Sequence, residues 1–201
     1  MKKLKYIFPI AVLTFASIFT ACSPEDEQEL PQHNKIIYLV DFQQVVEGTF
    51  DETPFTNFSE VGTKEWFGNK DNRGNGYYEF SPFQSGQPLN IGWFITPVIN
   101  LDQANAKRLT FQSAQHHVIN DTENYLELFV SNNFTGDVAA ANWVKFEFKK
   151  PQPNSKNYEW VNSGGINLAQ FSGNIHIAFK ATGGTANANA GAYMIDNIKV
   201  F

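Results

Sequence analysis

The second half of the sequence is dominated by segments in which apolar and polar side chains alternate. A period of two places every second side chain on the same face of an extended chain and is typical of half-buried β-strands. No segment carries a sustained 3.6-residue period, although residues 167–172 have room for one short helical turn. The pattern predicts an all-β fold, most simply a jelly-roll β-sandwich of two antiparallel sheets. The alternating segments are residues 108–117, 124–131, 142–149, 174–182 and 192–201.

Two earlier apolar segments give sharper expectations. Residues 35–42 contain an unbroken apolar run, which predicts a strand inside a sheet rather than at its rim. Residues 92–101 open with aromatic and β-branched side chains that favour a pleated surface. Because Pro97 has no N–H to donate, we expect that strand to end there in a tight turn. Trp93 is expected in the core.

The N-terminal residues have the pattern of a signal peptide. Lysines at positions 2, 3 and 5 precede a mostly apolar stretch, residues 6–19, that is too short to span a bilayer as a helix. Residues 19–22 resemble a bacterial lipobox and end in Cys22, which is the only cysteine of the chain. The resemblance implies a lipoprotein signal peptide over residues 1–21, lipidation of Cys22 and a membrane partner through that anchor. The alternative is a secretory signal with a chance cysteine.

Residues 22–34 are polar, acidic and bracketed by prolines, so we predict a disordered acidic tether. An acidic run directly after a lipobox cysteine resembles the surface-export signal of Bacteroidetes lipoproteins. That resemblance implies an outer-membrane lipoprotein exposed on the cell surface. The alternative is a solvated linker that faces the periplasm.

Length and charge restrict what the remaining chain can do. Residues 35–201 are enough for one domain with a sizeable core, and we expect no second domain. Without its leader the chain keeps 12 basic and 20 acidic residues, because all three leader charges are lysines. A net charge near −8 is unfavourable for binding phosphate backbones, so no nucleic-acid partner is expected. The 19 Phe, 7 Tyr and 4 Trp suit a β-sheet core and also suit stacking on flat ligands.

An ordered set of short motifs resembles a known family. The set comprises residues 40–43, Trp66, residues 76–78, 90–101, 109–111, 128–131, 177–180 and 193–200. Together they are similar to the choice-of-anchor J and cleaved-adhesin domains of Bacteroidetes surface proteins, over residues 36–201. The resemblance implies a jelly-roll sandwich with a non-catalytic role in adhesion or ligand binding.

The same resemblance implies a calcium ion where the first strand, a middle strand and the last strand meet. Asp196 is the central candidate, because strict alternation places it on the core side with Ile198 and Val200, where an unpaired carboxylate is very costly. Either a bulge at residues 196–197 turns it outward, or it has strong partners. Those partners are backbone N–H groups or Ca²⁺, whose six to eight oxygen ligands need more residues than one. The candidate calcium ligands are Asp41, Gln43, Glu79 and Asp196.

No arrangement of residues predicts catalysis. His116 and His117 are consecutive on a strand, so we expect them to face opposite sides and not to share a metal. Glu123 and Glu127 would lie about 13 Å apart on an extended strand. That separation exceeds the one used by paired glycosidase carboxylates. No nucleophile motif occurs. We therefore expect no enzyme activity.

Exposed aromatic side chains are the remaining candidates for ligand contact. On a β-sandwich such rings can stack on sugars, or they can simply cover the ends of the core. The candidates are Trp66, Tyr78, Trp143 and Trp160. The expected function is an adhesin-like or carbohydrate-binding module whose partner is a glycan or a surface protein. The alternative is an accessory subunit of an outer-membrane uptake or assembly complex that binds protein.

Overall fold

The computed structural model describes residues 34–50 and 54–201, so the predicted signal peptide, Cys22 and nearly all of the tether lie outside the described residues. Thirteen strands and one short 3-10 helix, Leu101–Gln103, make up the regular structure of the described part. Within it, no helix is long and apolar enough to cross a membrane. The strands are β1 Tyr38–Val40, β2 Thr56–Val61, β3 Phe67–Lys70, β4 Gly76–Phe80, β5 Asn90–Ile95, β6 Ile99–Asn100, β7 Arg108–His116, β8 Tyr125–Ser131, β9 Val144–Phe146, β10 Val161–Asn162, β11 Ile166–Asn167, β12 Asn174–Gly183 and β13 Ala192–Val200.

The strands form two antiparallel sheets. The seven-stranded sheet has the order β10-β7-β13-β4-β3, with β11 also paired to β7 and β1 also paired to β13. The six-stranded sheet has the order β2-β5-β12-β8-β9, with β6 also paired to β12. Neighbours in each sheet are mostly distant in sequence, as in a jelly roll. The predicted all-β sandwich is confirmed.

The core lies between the two sheets and follows the predicted alternation. Leu109 and Phe111 on β7 and the apolar side chains of β8 and β12 at every second position are buried there. Phe94 on β5 lies at the centre of an aromatic cluster, with its ring 4.8 Å from Tyr78 and 4.9 Å from Phe55. Burial of these rings supplies the main favourable contribution to folding in a chain that has no disulfide.

Two expectations about apolar segments are wrong. The first strand is three residues long and pairs only with the end of β13, at Ile198 to Val200, so it lies at a rim. The apolar run did not indicate a central strand, because two of its side chains, Ile36 and Leu39, are exposed. Strand β5 does end at Ile95, just before Pro97, but the expected tight turn does not follow. Since β5 and β6 both pair with β12, the chain continues along the same neighbour after the proline.

Trp93 is buried, but outside the core between the sheets. Its ring lies on the outer face of the six-stranded sheet, 5.3 Å from Trp143 and 5.3 Å from Phe129. Its indole N–H donates to Glu60 at 2.6 Å, and the Lys180 ammonium lies 4.9 Å from the ring centroid. The segment between β8 and β9 therefore covers part of that face with a second apolar cluster.

Candidate ligand-binding groove

A groove of about 660 Å³ opens on the outer face of the seven-stranded sheet. On β4, Tyr78 and Phe80 point into the core, so Glu79 between them points outward. On the other side of β13, His116 pairs with Ala192, whose small side chain leaves space above the sheet. The lining residues are Asn69, Glu79, Ser81, Phe83, His116, His117, Ile119, Tyr158, Asn187, Ala190 and Ala192.

Glu79 is the acidic group of this groove. Its side chain is only 7% exposed, and one carboxylate oxygen accepts a hydrogen bond from Asn69 Nδ2 at 2.9 Å. Burial raises the pKa of Glu79 above its usual range, and the Asn69 hydrogen bond opposes that rise. None of the ion pairs between described residues involves Glu79. A desolvated carboxylate with one protein donor is a strong acceptor for ligand hydroxyl or amino groups.

Stacked rings form one wall of the groove. The His116 ring lies 4.5 Å from the Tyr158 ring at an interplanar angle of 28°, and 4.0 Å from the His117 ring. The Tyr158 side chain is 50% exposed. Burial lowers the pKa of His116, so its ring is mostly neutral at neutral pH. The wall therefore presents an aromatic face to a ligand.

The expectation that His116 and His117 face opposite sides is wrong. His117 has φ of +57° and Tyr158 has φ of +60°, both in the left-handed region that non-glycine residues rarely adopt. Leaving the extended conformation at His117 ends the strand alternation and brings both imidazoles into the groove. Hydrogen bonds hold these conformations, since Tyr158 N donates to Gln115 O at 2.8 Å and His117 N donates to Asn157 Oδ1 at 2.9 Å.

Two of the predicted aromatic contacts, Trp66 and Tyr78, are corrected by their burial. Each side chain is only 1% exposed, and both belong to the core between the sheets. The Trp66 indole donates its N–H to Gly92 O at 3.1 Å, so even its polar edge is used internally. Neither ring presents a face on which a sugar can stack.

Trp143 and Trp160 lie outside the core between the sheets. Trp143 packs on Trp93 and Phe134 on the outer face of the six-stranded sheet and donates its N–H to Val138 O. Trp160 lies on the outer face of the seven-stranded sheet, edge-on to Tyr77 at 5.6 Å. Both rings are partly buried, and neither lines the groove.

Asp196 lies at a β-bulge, one of the two arrangements expected for it. The register between β13 and β7 shifts between Asp196 and Lys199, and Asn197 adopts φ of +53°. The extra residue lets both Ile195 and Ile198 point into the core while Asp196 between them points away from it. The Asp196 side chain is nevertheless only 1% exposed, because other groups cover it.

Two of the other candidate calcium ligands, Gln43 and Asp41, are linked to Asp196 through Asn75. Asn75 Nδ2 donates to Asp196 Oδ2 at 3.0 Å, and Gln43 Nε2 donates to Asn75 Oδ1 at 2.9 Å. Gln43 N also contacts Asp41 Oδ1 at 3.4 Å. Burial raises the pKa of Asp196 to about 6, hydrogen bonds from Asn75 and Asn197 oppose the rise, and the charge of Asp41 adds to it. Glu79 is not brought into this network, since it pairs with Met194 and faces the groove.

The donor types of this network fit calcium. Asp41 and Asp196 offer carboxylate oxygens, and rotation of the Gln43 and Asn75 amides would offer two more, all of the hard type that Ca²⁺ prefers. In the described part of the chain no three His, Cys, Asp or Glu side chains cluster as metal ligands.

Comparison with known proteins supports the fold. No protein-family model matches the chain, and no curated protein matches it. Among solved structures, the K2 cleaved adhesin domain of Lys-gingipain matches with a TM-score of 0.56 at 8% identity, over 82% of this chain and 97% of that domain. The K3 domain, from Porphyromonas gingivalis W83, matches with a TM-score of 0.55 at 12% identity, over 83% and 99%.

The K1 domain of the same Porphyromonas gingivalis W83 protein matches with a TM-score of 0.52 at 14% identity, over 82% of this chain and 96% of that one. The match spans nearly the whole of each adhesin domain. At these identities the similarity concerns architecture. The chain therefore shares the jelly-roll fold of the cleaved adhesin domains of Lys-gingipain.

Proposed function

We propose that this protein is a non-catalytic, adhesin-like module that binds carbohydrate in the groove on its seven-stranded sheet. The observation that carries the proposal is the pairing of a half-exposed Tyr158 ring with the buried carboxylate of Glu79 in one concave site. A sugar ring has apolar C–H faces and hydroxyl edges, so an aromatic surface and nearby acceptors complement it. Such a combination of apolar lining and a few polar groups is usual for small-ligand sites.

The remaining lining residues suit the same ligand class. Asn69 and Asn187 offer amide groups that both donate and accept, and Ser81 offers a hydroxyl. Phe83 and Ile119 expose apolar surface at the rim. The cleaved adhesin domains with the same fold support an adhesive rather than a catalytic role. A protein partner, which is the alternative expectation, would be revealed by binding that survives loss of the groove.

Truncation of Tyr158 tests the proposal. A glycan array identifies a ligand, and Tyr158→Ala is expected to weaken its binding about tenfold or more, equivalent to about 1.4 kcal/mol. The reason is loss of the exposed stacking surface together with the support it gives His116. Isothermal titration calorimetry measures the affinity. The control is Phe58→Ala, which removes an exposed aromatic ring from the six-stranded sheet and should leave the affinity unchanged. Equal affinity of Tyr158→Ala and the parent protein would contradict the proposal.

We further propose that Asp41, Gln43, Asn75 and Asp196 bind Ca²⁺. The support is the Asp196 carboxylate, which is nearly inaccessible to solvent and has oxygen-bearing side chains as neighbours. Among the described residues it forms no ion pair. The ion would neutralise the two carboxylates and tie β1 and the segment before β4 to the bulge of β13. Its role would be structural.

The proposed location is the outer membrane, with the module exposed on the cell surface by a lipid on Cys22. The support is the sequence pattern of residues 1–34 alone. Mass spectrometry of the protein from the membrane fraction is expected to find Cys22 as an acylated N-terminus. In a Cys22→Ala variant the protein should leave the detergent phase of a phase-partition experiment. A mature chain that is unmodified at residue 22 would refute the anchor without affecting the groove.

A further inference from the structure

The charge of the groove is of one sign. Glu79 is the only acidic residue that lines it, and no lysine or arginine is among the lining residues. Of the two lining histidines, His116 is held neutral by burial. The negative charges of Glu79, Asp71 and Glu47 all raise the pKa of the neighbouring Tyr77 hydroxyl. The sheet surface next to the groove therefore adds negative potential.

Glu79 has no cation to balance it. Its hydrogen bond comes from the neutral amide of Asn69, and no ion pair of the described residues includes it. A carboxylate that is 7% exposed has lost most of its water, and a desolvated charge gains strongly from an opposite charge placed beside it. The position where such a charge would lie is the groove itself, which is open to ligand.

The aromatic wall of the groove also attracts cations, as Glu79 does. Tyr158 and His116 present stacked π-faces to the groove, and Phe83 exposes a further ring at its rim. A cation near an aromatic face is stabilised by the ring quadrupole, and more so when water is displaced. An anionic ligand would be repelled by Glu79 and by these faces.

We propose that the groove selects glycans that carry a free amino group, with the ammonium of an N-unsubstituted amino sugar held between the Glu79 carboxylate and the Tyr158–His116 ring wall. This inference rests on the proposed glycan-binding function and specifies the class of glycan that the groove binds. Neutral sugars with the same backbone bind more weakly, and glycans of uronic acids are excluded. The specificity comes as much from rejection of anions as from attraction of cations.

Three tetrasaccharides with the same β-linkage test this selectivity by calorimetry on the full mature domain. They are the glucosamine tetramer, its fully N-acetylated form and the glucose tetramer, which differ only at the second carbon of each ring. The glucosamine tetramer is expected to bind about tenfold more tightly or better than either neutral form. Raising the salt to about 1 M, where the Debye length is about 3 Å, should reduce that preference. Equal or weaker binding of the amino form overturns the inference.

Glu79→Gln removes the charge and keeps the size and an acceptor for Asn69. The preference for the amino form over the neutral forms should fall to about twofold or less. The control Glu147→Gln makes the same change of charge at an exposed site outside the groove and should keep the preference. A preference that persists in Glu79→Gln overturns the inference. If Tyr158→Ala leaves the binding of every tetrasaccharide unchanged, the groove is not the site and the proposed function itself fails.

Discussion

Phe94→Ala is expected to lower the free energy of unfolding by about 3 to 5 kcal/mol. The Phe94 side chain is fully buried and contacts five other aromatic rings contributed by separate parts of the chain. The cavity left by truncation would be lined by Tyr78 on β4 and by rings on the connecting segments next to β1, β2 and β3. Three of these rings, Phe42, Trp66 and Tyr78, are themselves buried, so only partial collapse is expected. Those five rings are Phe42, Phe50, Phe55, Trp66 and Tyr78.

Chemical denaturation measures this loss, and Phe58→Ala is its control. Phe58 is also a phenylalanine on a strand of the six-stranded sheet, but it is 41% exposed, so its truncation should lower stability by only about 1 kcal/mol. If both variants lose the same free energy, the stabilising core does not lie between the sheets where the structure places it.

Calcium is expected to raise the melting temperature of the domain, and Asp196→Ala should abolish the rise. At a calcium concentration about a hundredfold above the dissociation constant, binding stabilises the folded state by about 2.7 kcal/mol. For a domain of this size that corresponds to roughly 5 to 10 °C. The physical reason is that Ca²⁺ neutralises a buried carboxylate whose pKa burial has raised to about 6.

Glu79→Gln is the matched control for calcium. Glu79 is also a buried carboxylate of the seven-stranded sheet, but its hydrogen bond runs to Asn69 and not to the residues around Asp196. Calorimetric melting with calcium and with chelator should therefore show the full calcium effect in this variant. Melting curves of the parent protein that coincide with and without chelator would refute the calcium site, and the hydrogen bonds of Asn75 and Asn197 would then suffice for Asp196.

The strands that could be predicted from sequence are those with one face buried and one exposed. The burial of side chains alternates over most of β8 and over the first part of β7 and β12, because the core lies on one side there and solvent or a thin covering layer on the other. β1 could not be predicted from its apolar run, since a rim strand of three residues exposes Leu39 while its neighbours pack on the core.

The bulge at Asp196 shows how a violation of the pattern can be informative. A carboxylate at an inward position of β13 is so costly that either a local break in register or strong partners were expected, and the structure has both. The aromatic candidates gave no such clue. Trp66 and Tyr78 lie near turns in the sequence, yet both are buried between the sheets, because a large ring fills the sandwich core as readily as it caps a rim.

The groove could not be predicted from the sequence, for two physical reasons. Glu79 and His116 are far apart in the chain and meet because β4 and β7 flank β13. Tyr158 joins them from the segment between β9 and β10, through the hydrogen bond from its N–H to Gln115 O on β7. The rings also depend on left-handed backbone conformations at His117 and Tyr158, which residue type does not signal. The one local sign was that Glu79 lies between the inward positions Tyr78 and Phe80, which places it on the outer face of the sheet.

The central claim is that carbohydrate binds on the outer face of the seven-stranded sheet. Titration of the isotope-labelled domain with the best glycan, followed by NMR, tests it most directly. The account predicts that the largest shifts occur at Asn69, Glu79, His116, His117 and Tyr158 and fit one dissociation constant. Shifts concentrated instead around Trp93 and Trp143, on the other sheet, would contradict it.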